Sequence, residues 1–156
     1  MPRRRHGSGA SPPLPDRAFA PGQRATFTKT ITETDIATFA GLTGDFNPLH
    51  VDAEFARASR FGARIAHGML TAGLISAVLG MRLPGAGGIY VSQTLDFRRP
   101  VHIGDTITAI AEVTAFEPEK RLLTVRTTCV NQHDKTVLEG QAVILVDPPS
   151  QAAAWD

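Results

Sequence analysis

Gly68-Met69-Leu70-Thr71-Ala72-Gly73-Leu74-Ile75-Ser76-Ala77-Val78-Leu79-Gly80-Met81 carries no charged side chain, and as a helix it is apolar in every direction. Such a helix is either buried all round or crosses a membrane. This run is too short to span a bilayer comfortably. Residues His67–Leu83 are therefore expected to form a central buried helix, with Gly73, Gly80, Ala72 and Ala77 suiting close packing against a sheet.

The flanks supply that sheet. Before the helix, Ala25–Ile31 is β-prone, with Phe27 and Ile31 on one side. Thr32 reads as a helix N-cap with Asp35 three residues on. Ile36, Phe39 and Ala40 form the stripe of that helix, with Thr43 as its last candidate member, and Gly44 stops it. Asp52 reads as the cap of a short helix through Ser59. After Pro84 and Gly85–Gly88, Ile89, Val91, Leu95 and Phe97 alternate with Tyr90, Ser92, Thr94 and Asp96. Gly104-Asp105 marks a turn, and Ile107, Ala109, Ala111 and Val113 form the next apolar face. Leu123, Val125, Thr127 and Cys129 form another, and Thr136–Val146 is the last strand. The short connections predict antiparallel neighbours. The order is one strand, two helices, the buried helix and four long strands. Its physical solution is an α+β domain in which a curved antiparallel sheet wraps the apolar helix, the hot-dog fold. Exposed sheet edges predict pairing into a dimer.

The 156 residues, 42% hydrophobic and 20% charged, fit one soluble domain. A net charge of +1 gives no case for a nucleic acid or an acidic membrane as partner. Cys129 has no partner cysteine, and no Cys/His cluster has zinc spacing, so a reducing cytoplasm is the default compartment. Residues 1–22 are rich in Pro, Gly and Ser, carry Arg3, Arg4, Arg5 and Arg17, and show no apolar periodicity. They read as a disordered tail. The domain is expected over residues 23–148, followed by a C-terminal tail at 149–156.

Chemistry concentrates in Asp45-Phe46-Asn47-Pro48-Leu49-His50. On a continuous helix Asp45 and His50 would point about 140° apart. Pro48 prevents that helix and makes Asn47 extended, so the chain bends and the two side chains can converge. A carboxylate beside an imidazole can hold and polarise a water. The same residues are also ordinary turn chemistry, and His50 could equally be a satisfied core histidine. Gly68 opens the apolar helix, where the first N–H groups lack partners and the dipole favours negative charge. A glycine there admits a ligand carbonyl, as in a backbone oxyanion hole. The plainer alternative is that Gly68 relieves crowding and His67 caps the helix. Ser76 lies about two turns further along the same face. Its hydroxyl could bond back to a helix carbonyl or reach the Asp/His pair.

Together these residues resemble the MaoC-like dehydratases. The resemblance is carried by Gly44-Asp45-Phe46-Asn47-Pro48-Leu49-His50-Val51-Asp52, Phe61, His67-Gly68-Met69-Leu70, Ser76 and Gly80. It continues through Leu83-Pro84-Gly85, Ile89-Tyr90, Phe97-Arg98-Arg99-Pro100-Val101 and Gly104-Asp105, and covers about residues 24–147. The chain is most similar to the single-domain (R)-specific enoyl-CoA hydratases that feed polyhydroxyalkanoate synthesis. The resemblance implies Asp45 and His50 as the catalytic pair, an oxyanion N–H from Gly68, support from Ser76, and a bend ordered by Asn47. It also implies a homodimer, trans-2-enoyl-CoA as substrate and (R)-3-hydroxyacyl-CoA as product. No metal or redox cofactor is expected, because adding water to a conjugated thioester needs neither, and coenzyme A is part of the substrate.

Arg60, Arg64, Arg82, Arg98 and Arg99 are candidates for the coenzyme A phosphates and equally for solvated surface charges. Leu79 and Ile144 are candidates for the acyl pocket or for plain core. The alternative activities are a (3R)-hydroxyacyl-ACP dehydratase and a noncatalytic acyl-thioester-binding protein. The intact Asp45, His50 and Gly68 argue against the second.

Overall fold

The structure, a computed structural model, describes residues 18–146. The expected C-terminal tail lies outside the described residues, as do the first seventeen residues of the expected N-terminal one. The elements are β1 (Arg24–Thr30), α1 (Glu33–Thr43), α2 (Pro48–Val51), α3 (Ala53–Ala58) and α4 (Gly68–Met81), then β2 (Gly88–Gln93), β3 (Asp96–Phe97), β4 (Thr106–Glu117), β5 (Leu122–Val130) and β6 (Thr136–Val146). The strands form one antiparallel sheet in the order β1-β4-β5-β6-β2, with β3 on β6. Helix α4 packs across β1, β4 and β5. This is the α+β hot-dog fold.

Local chemistry sets the element ends. Thr32 closes a capping box on α1: its Oγ1 accepts from Asp35 N–H, and its own N–H donates to the Asp35 carboxylate at 2.8 Å. Gly44 ends α1 at φ 78°, where a side chain would be strained. Thr43 is exposed and turns its hydroxyl back to the Phe39 carbonyl, so the stripe ends at Ala40.

Alternation holds on the long strands. Ile107, Ala109, Ala111 and Val113 are buried from β4, and Leu123, Val125, Thr127 and Cys129 from β5. Burial pushes the Cys129 thiol up to about 12, which keeps it a protonated packing group.

Four expectations need correction. Residues 89–97 are not one strand. The register shifts between Tyr90 and Ser92, β2 ends at Gln93, and Asp96–Phe97 form a separate short pairing with β6. Where the strand breaks, the Thr94 carbonyl crosses β6 so closely that a Cβ on Gly140 would lie 1.9 Å from it. Nor is β2 a neighbour of β4. The Gly104-Asp105 turn spends its backbone bonds on Ile31, which donates to Asp105 and accepts from Gly104, so β4 is registered on β1 instead.

The third correction concerns α4. Thr71, Leu74, Ile75, Val78 and Leu79 are buried, but Met69, Gly73, Ser76, Gly80 and Met81 are exposed. A Cβ on Gly73 or Gly80 would meet nothing within 4 Å. The single sheet covers one side of the helix and leaves the small-residue side open. Finally, ordered contacts begin inside the stretch read as tail. Phe19 packs edge-on against Phe116, with ring centroids 5.2 Å apart, and Gly22 N–H donates to the Val113 carbonyl.

Candidate active site

The bend between α1 and α2 is built by side chains that cap their own backbone. The Asp45 carboxylate accepts from Asn47 N–H at 3.2 Å, and Asn47 Oδ1 accepts from Leu49 N–H at 3.0 Å. Asn47 is extended at φ −53°, ψ 129°, and caps α2, whose first residue is Pro48. The proline therefore starts a one-turn helix rather than merely breaking one, and that turn carries His50 inward.

His50 Nδ1 lies 2.8 Å from the Ile65 carbonyl. A carbonyl can only accept, so in the neutral ring Nδ1 carries the hydrogen and Nε2 is a bare acceptor. Asp45 and His50 are not hydrogen-bonded to each other, although their ligand atoms lie within 4.8 Å. One water bonded to both, at about 2.8 Å each, spans such a gap.

Both residues line a cavity of about 490 Å³, together with Phe61, Gly68, Met69 and Thr71. Gly68 sits where α4 begins. The first internal bonds of that helix are donated by Leu70 and Thr71 to the His67 carbonyl, leaving the Gly68 and Met69 N–H groups over. Gly68 has no positive φ. Its lack of a side chain has a different use: a Cβ there would lie 2.6 Å from Phe97 Cε1. The Phe97 ring, 54% exposed, thus packs on the opening of α4 at the cavity wall.

His67 is the residue whose part the sequence reading missed. It makes no side-chain cap on α4. Its ring is 1% exposed, Nε2 lies 2.9 Å from the Asp45 main-chain carbonyl, and the ring stacks on His50 with centroids 3.9 Å apart. The available signal was its place: a polar ring preceding an uncharged buried helix needs a partner inside. Asp45, His50 and His67 are also close enough to offer ligands to one metal ion. One nitrogen of each ring is on a carbonyl, which leaves the Asp45 carboxylate and His50 Nε2 beside the buried His67 Nδ1.

The structure thus brings Asp45, His50 and Gly68 to one cavity and places Asn47 at the bend. It does not bring the other candidates there. Ser76 is exposed on the open face of α4, outside the cavity lining. Leu79 and Ile144 are each 2% exposed and belong to the core. Of the arginines, Arg60, Arg98 and Arg99 reach the cavity. Arg60 lies over the Phe61 ring at 5.0 Å, Arg98 pairs with Glu139 at 2.7 Å, and Arg99 donates to the Thr136 carbonyl. Arg64 is engaged by Glu33 at 2.5 Å, and Arg82 lies at the C-terminus of α4.

Residues 17–136 match the family model described as the MaoC like domain. An (R)-specific enoyl-CoA hydratase of Rhodospirillum rubrum is 56% identical over 125 residues, covering 80% of this chain and 86% of that protein. A 3-hydroxybutyryl-CoA dehydratase of Methylorubrum extorquens is 49% identical, covering 80% of this chain and 78% of its own. Among solved structures, an (R)-hydratase from Aeromonas caviae involved in PHA biosynthesis superimposes with a TM-score of 0.81 at 41% identity, over 84% of this chain and 99% of that one.

Proposed function

The chain belongs to the MaoC-like domain family, and on that premise we propose that it is an (R)-specific enoyl-CoA hydratase, with Asp45, His50 and Gly68 as its working groups. The observation that carries this reading is the shared cavity: a carboxylate, a bare imidazole nitrogen and an unspent helix N–H meet in one place.

The chemistry follows from the parts. Conjugation to a thioester carbonyl makes C3 of the enoyl group electrophilic, and attack there moves charge onto the carbonyl oxygen. The Gly68 N–H stabilises that oxygen. Water held between Asp45 and His50 attacks C3 and passes one proton to the pair, for which His50 Nε2 is the bare acceptor. The pair returns a proton to C2. One π bond is lost, C3–O and C2–H bonds form, and the pair ends as it began. Because one water and one pair serve both carbons, the addition is syn. The reaction requires no metal and no redox cofactor.

The proposed assembly is a homodimer. Support comes from the open edge of β2, where Tyr90 and Val91 are exposed, and from the exposed side of α4 with Met69, Gly73, Ser76 and Gly80. In that assembly Ser76 would reach its supporting role only when α4 is covered. No helix among the described residues is long and apolar enough to cross a membrane. We place the activity in the cytoplasm, consistent with a single buried cysteine, and its product among precursors of polyhydroxyalkanoates.

Purified protein mixed with crotonyl-CoA should bleach the enone absorbance catalytically. Absence of turnover with crotonyl-CoA and with longer enoyl-CoAs would refute the assignment.

A further inference from the structure

His67 is a residue that the proposed hydration does not use directly, yet it touches both members of the pair. Its Nε2–H donates to the Asp45 main-chain carbonyl at 2.9 Å. The face of its ring lies against His50, at 3.9 Å between centroids and 31° between planes. Phe39 from α1 also packs on it, with ring centroids 4.8 Å apart. The ring is 1% exposed, and its Nδ1 meets no hydrogen-bond partner among the described residues.

A buried nitrogen without a partner costs stability. A leucine would fill the same volume at no such cost. The position therefore retains an imidazole for what Nε2 and the ring face do. Both act on catalytic geometry. Asp45 sits in an exposed bend, and the other bonds of that bend are local: Asn47 N–H to the carboxylate, and Asp45 N–H to Thr43 Oγ1 at 3.3 Å. The bond from His67 is the tie from this bend to α4, the helix that presents Gly68. His50 is held at one ring atom by the Ile65 carbonyl, which fixes its position but leaves the ring free to swing about that bond. The flat face of His67 removes that freedom.

We propose that His67 is a positioning residue for the proposed hydration: it sets the spacing of Asp45, His50 and Gly68 by clamping the Asp45 backbone and stacking on His50. This inference rests on the assignment of that pair as catalytic. Misplacing a catalytic group by about 1 Å costs roughly 10²-fold in rate.

Three variants separate the two contacts. His67→Leu removes donor and ring, His67→Gln keeps an N–H donor of similar reach, and His67→Phe keeps a flat ring without a donor. With crotonyl-CoA, His67→Leu should lose on the order of 10²-fold in kcat with KM within about threefold of wild type. His67→Gln should recover at least about tenfold over His67→Leu, because the clamp on Asp45 returns. A folded His67→Leu with wild-type kcat overturns the proposal. So does His67→Gln no faster than His67→Leu. If His67→Leu fails to fold, the comparison moves to the other two. Gln faster than Phe by about tenfold or more supports the clamp, and a smaller difference overturns it. A crystal structure of His67→Gln or His67→Phe gives a reading independent of turnover. The Asp45–Gly68 spacing, which the clamp sets, should stay at its wild-type value in the Gln variant and widen by about 1 Å in the Phe variant; an unchanged spacing in both overturns the proposal. Failure of the wild type to hydrate any enoyl-CoA refutes the assigned activity, and the spacing then decides the positioning claim alone.

Discussion

Asp45→Ala and His50→Ala each bring crotonyl-CoA hydration down by about 10²–10⁴-fold or more, while the protein keeps its fold. The two positions differ in what else they hold. Asp45 is exposed, and among the described residues its carboxylate accepts only the Asn47 N–H, so its loss leaves the melting temperature nearly unchanged. His50 is half-buried and supplies the donor for the Ile65 carbonyl, so its loss should also lower stability by about 1 kcal/mol. If the two groups share one water, their effects do not add. The double variant then falls no further than the worse single one. The measurement is kcat for all three variants beside their thermal unfolding. Wild-type turnover in either single variant removes that residue from the mechanism. Multiplicative losses in the double variant separate the pair into two independent groups.

Gly68→Pro against Gly68→Ala is the second large difference. His67 is at ψ 136°, which suits a residue preceding proline, and Gly68 has no positive φ. Proline is therefore compatible with this backbone, and it is favoured at the first position of a helix. Both replacements add the Cβ that would lie 2.6 Å from Phe97 Cε1. Alanine is accordingly more than a mild variant. It carries the same clash as proline and keeps the N–H, so it should lose activity as well, through displacement of the Phe97 ring into the cavity. The gap between the two variants isolates the donor. Proline should fall below alanine by on the order of 10²–10³ in kcat, the loss expected for one oxyanion donor. Phe97→Ala in both backgrounds should relieve the shared loss and leave the gap. Equal turnover of the two variants, both folded, would mean that the Gly68 N–H does not stabilise the enolate.

The parts of the fold that were legible in the sequence were those written in local periodicity. The two-residue alternation of Ile107 to Val113 and of Leu123 to Cys129 placed both strand faces, and Thr32 with Asp35 and Gly44 placed both ends of α1. Pairing partners were not legible. The Gly104-Asp105 turn has the composition of a hairpin, but its backbone bonds go to Ile31, a residue more than seventy positions away, and only tertiary structure supplies it. The open side of α4 was misread for a similar reason. A run apolar in all directions does not tell which of its sides this chain's own sheet covers. At the site, Asp45, His50 and Gly68 were legible because proline and glycine leave marks on backbone geometry. His67 was not, because a stacking partner and a long-range carbonyl leave none. Leu79 and Ile144 show the converse: apolar residues near a functional motif have the same signature whether they face a ligand or the core.

In the proposed mechanism one water, held between Asp45 and His50, serves both carbons of the double bond. Hydration of crotonyl-CoA in D₂O tests it most directly, with the product analysed for chirality at C3 and for deuterium placement at C2 by NMR. The expected product is (R)-3-hydroxybutyryl-CoA with the new C2 deuterium and the C3 hydroxyl delivered to the same face. An (S) product, or deuterium on the opposite face, would contradict it.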